Sequence, residues 1–150
     1  MANNVYSYIS LEGLSDKASD FLISIEEPAN ETETMCKIYN IPYEGESTDD
    51  VINSYDWYID NVGAKWISFE DISEYGLAAT SAWSPPIAFY DALFEKLRSL
   101  DSPNMEMWCR YDDEMPNFVG VYGRYKDMDY DEHVDDSYYQ ISIGAVPYNT

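Results

Sequence analysis

Positive charge is what this sequence has least of. Eight lysines and arginines stand against 29 aspartates and glutamates, for a formal net charge of −21. Affinity for DNA or RNA comes from cations laid against phosphates. Lys17, Lys37, Lys65, Lys96, Arg98, Arg110, Arg124 and Lys126 are too scattered to form such a footprint. The composition therefore argues against direct nucleic-acid binding and against anionic membrane surfaces, which repel so acidic a chain. Cysteine is nearly absent as well. Cys36 and Cys109 match no zinc spacing and are too few for a disulfide framework, which predicts two reduced thiols in a cytosolic protein. No segment approaches the roughly 20 apolar residues that span a bilayer. The opening "MANNVYSYISLEGL" has no basic region ahead of an apolar run, so no secretory leader is expected. Phosphate-binding glycine loops and internal repeats are missing too.

What remains is a globular composition, 45% hydrophobic and 16% aromatic over 150 residues, enough for one domain spanning 1–150. "NVYSYISLEG" alternates with the period of a strand. "LSDKASDFLISIEEP" spaces Leu14, Ala18, Phe21, Leu22 and Ile25 as a helix, with Ser15 as N-cap, Asp16 in the positive first turn and Pro28 as the stop. Residues 29–34 are expected as a loop and "MCKIYNI" as a second strand. A helix is expected from Thr48, burying Ile52, Tyr55, Ile59 and Val62 and ended by Gly63. "AKWISFE" and "GLAATSAW" predict two strands about the turn "DISEYG". "SPPIAFYDALFEKLRSL" predicts a helix that buries Tyr90, Leu93, Phe94 and Leu97, with Ser84 as its cap and Pro85 at its first position. Met105, Met107, Cys109 and Tyr111 alternate in a further strand, and "NFVGVYGRYK" follows the turn "DDEMPN". Gly120 and Gly123 in that strand point to a bulge or a close backbone approach. "SYYQISIGAV" is expected as a final strand. This order predicts an α+β fold, an antiparallel sheet with helices packed on one face.

Two segments carry a family resemblance. "DNVGAKW" supplies Asn61, Gly63, Lys65 and Trp66, and "SAWSPP" supplies Ala82, Trp83, Ser84, Pro85 and Pro86; Tyr111, Asp113, Glu114 and Gly120 follow. These residues resemble the motifs of the YubB-like group, a phage- and plasmid-borne family of small proteins with a ferredoxin-like domain. Val62, Ala64 and Ser81 depart from the family pattern, which has Trp, Thr and Thr there. The resemblance covers residues 3–126 and implies a ferredoxin-like fold, a mobile-element origin and hence a host-cytoplasmic setting. It brings no activity, so it assigns no catalytic residue.

The candidate functional residues fall into two groups. Trp66, Trp83 and Lys65 form a possible ligand groove should the strands that carry the tryptophans pair, although aromatics on neighbouring strands commonly serve packing. The stretch "DMDYDEHVDD" sets Asp127, Asp129, Tyr130, Asp131, Glu132, Asp135 and Asp136 close together, and Asp112, Asp113 and Glu114 lie upstream. Asp127, Asp129, Asp131 and Asp135 fit alternate positions of a calcium loop. Glu132 replaces the turn glycine and Tyr138 the bidentate glutamate, so no metal site is expected. His133 reads as a solvated loop residue, with no nucleophile signature near it. No cofactor and no catalysis follow from the sequence.

The leading expectation is a non-enzymatic binding protein. Its acidic residues, with Tyr130 as an aromatic anchor, would engage and inhibit a basic host protein. A nucleic-acid-binding defence or transcription factor fits, since spaced carboxylates imitate the charge of a duplex. The alternative is a small-ligand-binding or enzymatic domain built on the Lys65, Trp66 and Trp83 groove. Pairing of two copies through "SYYQISIG" as a homodimer is a third reading.

Overall fold

The computed structural model describes residues 3–26, 31–114, 118–125 and 128–134, with Tyr125 and 128–134 as backbone only. The chain begins with strand β1 (Asn4–Glu12), followed by helices α1 (Asp16–Ser24), α2 (Glu31–Tyr39), α3 (Glu46–Ile52) and α4 (Tyr55–Asn61). Strands β2 (Ile67–Ser73) and β3 (Gly76–Ala82) form a hairpin. Helix α5 (Ile87–Arg98) then leads to β4 (Glu106–Asp113), β5 (Val119–Tyr125) and β6 (Met128–Val134). The strands make one sheet in the order β2-β3-β1-β4-β5-β6, with every neighbouring pair antiparallel. The connection from β1 to β2 passes over β3, and that from β3 to β4 passes over β1. This interleaving is the ferredoxin-like arrangement, extended beyond β4 by two further strands.

The helices pack mainly on one face of the sheet, as the alternation in β1 requires. Val5, Ser7, Ile9 and Leu11 are buried, whereas Tyr8, Ser10 and Glu12 are exposed on the other face. Helix α5 lies across the buried face through Phe89, Tyr90, Leu93, Phe94 and Leu97. The Tyr90 hydroxyl reaches the Ser7 hydroxyl at 2.6 Å, so the polar atoms in this core satisfy each other. Ser15 caps α1 by accepting from the Ala18 amide.

Four sequence expectations are corrected. Residues 31–39 form α2 instead of a loop and a strand. Glu31 and Glu33 lie in its first turn and Lys37 in its last, and Thr32, Met35 and Cys36 turn inward at helical spacing. A Schellman-type end closes it, with Asn40 at φ 59° and the Ile41 amide donating to the Cys36 carbonyl. The single helix expected from Thr48 is two. Ser54 accepts from the Trp57 amide and starts α4 afresh, which turns Tyr58 inward and leaves Tyr55 and Ile59 outside. Ser84 does not cap α5, whose N-cap position is held by Pro86. Finally, Met128–Val134 is a strand paired with β5, so His133 stands on a strand opposite Gly120 rather than in a loop. The strand expected at 137–146 lies outside the described residues.

Gly123 accounts for its own identity. A Cβ there would fall 2.6 Å from the Trp108 ring, so a side chain on the neighbouring strand requires the glycine, instead of the bulge or close backbone approach expected. No helix among the described residues is long and apolar enough to cross a membrane.

Candidate docking surface

The two segments of the family resemblance lie far apart in sequence and meet in space. Helix α4 ends at Val62, and Gly63 follows at φ 87°, a left-handed conformation that suits glycine. Its carbonyl accepts from the Ser84 hydroxyl at 2.6 Å. The Ser84 carbonyl in turn accepts from the Ser81 hydroxyl at 2.9 Å. The Val62 carbonyl takes the Phe89 amide at 3.1 Å, which ties the same corner to the start of α5. Trp83 lies inside this fastened loop at φ 76°, and its amide donates to the Asn3 carbonyl at 2.8 Å.

A groove of about 300 Å³ opens beside this loop, lined by Tyr55, Ile59, Lys65, Ala82, Trp83 and Ser84. Lys65 and Trp83, two of the three residues expected at a groove, both line it. Trp66 does not join them. It lies before β2, where its carbonyl accepts from the Ala82 amide, and its ring is not among the lining groups. The partners that sequence reasoning missed are Tyr55 and Ile59, both assigned to the core. They are 62% and 41% exposed, and Trp83 is 56% exposed. A four-residue spacing on α4 brings Tyr55 and Ile59 onto one side, while Asp56 and Asp60 form an exposed stripe beside them. Across α3 and α4 a second hollow, of about 400 Å³, is lined by Pro42, Val51 and Trp57 among others.

Lys65 is unusual among the cations. Lys17 pairs with Asp101, Arg98 with Glu95, and Arg124 with Asp91 and Glu95. Lys96 reaches Asn40 and the Phe21 ring, Lys37 reaches the Ser24 carbonyl, and Arg110 lies over the Tyr8 ring. Among the described residues, Lys65 is the one lysine or arginine with no such partner.

The acidic candidates do not gather on one surface. Asp113 is 6% exposed, and its carboxylate accepts from the Asn3 amide side chain at 2.7 Å and from the Phe118 amide at 3.4 Å. Glu114 accepts from the Asn4 amide at 3.0 Å and returns its own amide to the Asn4 carbonyl. These two acids fasten the start of β1 to the turn after β4. Asp112 lies on the opposite face, half-buried. Desolvation pushes its carboxyl up, Arg110 opposes the shift and Asp113 adds to it. On β6 the register sets Asp129 opposite Arg124 and Asp131 opposite Tyr122. Tyr130 stands opposite Gly123 and Glu132 opposite Val121, at alternate positions and so on the other face of the sheet. Asp127, Asp135 and Asp136 lie outside the described residues.

Ser84 and the two cysteines are engaged or buried. Ser84 is committed to the Gly63 carbonyl. Cys36 and Cys109 are buried, and burial pushes both thiols up, away from the reactive thiolate. Among the described residues no group of three or more histidines, cysteines or carboxylates is placed to hold a metal ion. Comparison with protein-family models, with curated proteins and with solved structures found no match to this chain.

Proposed function

We propose that this chain is a non-enzymatic binding protein that engages and inhibits a basic protein, with a nucleic-acid-binding host protein as the natural target. The observation that carries the reading is the charge balance together with its internal accounting. The chain has 29 acids and eight bases, and the described bases other than Lys65 are already committed to groups of the same molecule. The negative field is therefore left to act on other molecules. In such a field association with a basic surface is fast and strongly dependent on salt. The acids that remain available for this are Asp112 on the open sheet face and the exposed carboxylates of α3 and α4. Asp129, Asp131 and Glu132 stand on β6, the last strand of the described sheet.

Affinity purification at low salt tests the reading. The expected result is a basic partner that is released as salt rises and is lost when Asp56, Asp60, Asp112, Asp129, Asp131 and Glu132 are replaced by lysine. Recovery of no basic partner, or of one indifferent to both salt and charge reversal, overturns it.

A further inference from the structure

Trp83 is held where its backbone and its side chain are both unfavourable. A bulky residue at φ 76° is a conformational outlier, and this residue is more than half exposed. Core packing does not offset that cost, since the ring is not part of the core. The loop is nevertheless fixed in place, by the Asn3 carbonyl on one side and by the Ser81–Ser84–Gly63 hydrogen bonds on the other. Strain that surrounding structure over-determines at an exposed aromatic residue is a mark of a preorganised recognition group. Tyr55 and Ile59 complete an apolar groove with it. Exposed aromatic and aliphatic groups rimmed by charge have the make-up of an interface core and its border.

We infer that this groove is the apolar anchor point of the docking surface. It takes an apolar side chain of a cationic segment whose lysines or arginines lie along the Asp56 and Asp60 stripe. The inference rests on the basic-partner reading and deepens it by naming the place and the chemistry of contact. Charge complementarity selects the occupant, because α4 presents two exposed carboxylates beside the groove and no base occurs from residue 38 to residue 64. Lys65 refines that choice. Its ammonium at the groove repels a lysine or arginine head, so the charged residues of the segment stay on the α4 side and an apolar side chain enters.

The test uses the full chain and two lysine-rich synthetic peptides of equal length and charge. One carries leucine and tryptophan at every third or fourth position, and the other carries serine there. Titration calorimetry is run at low and moderate salt. The apolar peptide is expected to bind at least about tenfold more tightly, an advantage that survives screening of the shared electrostatic part. Tyr55→Ala and Trp83→Ala should erase the advantage and leave the weaker, serine-type binding intact. If a variant loses its fold by circular dichroism, Trp83→Asn, which suits the left-handed backbone, carries the same test. Equal binding of the two peptides, or an advantage that persists in the variants, overturns the groove while the charge reading stands. Failure of both peptides to bind at low salt overturns both.

Discussion

The Ser84 hydroxyl donates to the Gly63 carbonyl at 2.6 Å, and together with the Phe89 amide on the Val62 carbonyl it closes the corner between α4 and the loop before α5. Ser84→Ala removes the donor and leaves the carbonyl without it, a loss of about 1 kcal/mol. Gly63→Ala acts differently. A Cβ there meets the Ile87 and Ala88 amides at 3.5 Å, an ordinary contact, so the penalty comes from the left-handed backbone, about 1–2 kcal/mol. Urea unfolding should show both variants destabilised. A Gly63→Ala protein as stable as the parent would mean that the corner relaxes out of this conformation.

Trp108 and Gly123 make a second testable pair, on the face of the sheet away from the helices. An added Cβ at residue 123 lands 2.6 Å from the Trp108 ring, so Gly123→Ala must push the indole off the strand. The expected penalty is about 1–3 kcal/mol, as for other overpacked contacts. In the Trp108→Ala background the same substitution should be close to neutral. A double-mutant cycle by denaturant unfolding measures this coupling. Equal penalties in the two backgrounds would show that the ring does not set the requirement for glycine.

Much of this architecture is readable from spacing alone. Val5, Ser7, Ile9 and Leu11 alternate in β1, and Met107, Cys109 and Tyr111 do so in β4. Tyr90, Leu93, Phe94 and Leu97 mark the buried side of α5. These elements are legible because one face of each packs on a single core, and periodicity records that directly. Helix α2 was hidden because "MCKIYNI" is rich in residues that suit a strand. Its dipole-matched ends, Glu31 and Glu33 against Lys37, were the signal for a helix. The break at Ser54 was hidden because serine is tolerated inside a helix as well as at its start. Strand β6 was unreadable because acids disfavour strands in general. At the end of the described sheet, however, β6 tolerates charge, because a strand with one neighbour is not enclosed in a core.

The candidate site was legible in half. Lys65 and Trp83 stood out through the motifs that carry them, and the structure sets them at one groove. Tyr55 and Ile59 were concealed by a spacing that also fits a buried stripe. Only the restart of the helix at Ser54 tells the two apart. Asp113 stood out as one acid among many, but its work is to hold Asn3 and the Phe118 amide. Composition does not reveal such a partner, because it is brought in by chain crossing.

Asp112 links charge to stability with a definite sign. Its carboxyl is raised from the ordinary 3.8, chiefly by desolvation, with Arg110 lowering it and Asp113 raising it further. A raised folded-state value means that the native protein holds this proton more firmly than the unfolded chain does. The contribution is fully present below the ordinary value and is lost as pH rises through the raised one. The folded surroundings thus disfavour the charged carboxylate relative to the unfolded chain. Asp112→Asn should raise the denaturation midpoint at neutral pH, and the gain should shrink on acidification toward the ordinary value. A gain that grows with acid, or a loss at neutral pH, would contradict the assigned cause.

Trp83 offers the sharpest separation of stability from binding. The residue is 56% exposed and the backbone at φ 76° is unfavourable for a bulky side chain. Asparagine adopts this region more readily than most non-glycine residues, so Trp83→Asn relieves strain of about 1 kcal/mol, which offsets part of what the covered side of the indole contributes. The amide bond to the Asn3 carbonyl and the Ser81–Ser84–Gly63 hydrogen bonds do not use the indole and are retained. The variant should therefore stay folded with a melting temperature close to that of the parent, yet lose the preference for an apolar cationic peptide. A residue kept only for packing would give the reverse, a lower melting temperature with binding unchanged. Scanning calorimetry and peptide titration on one preparation decide between the two, because strain retained for recognition is relieved at the expense of function rather than of the fold.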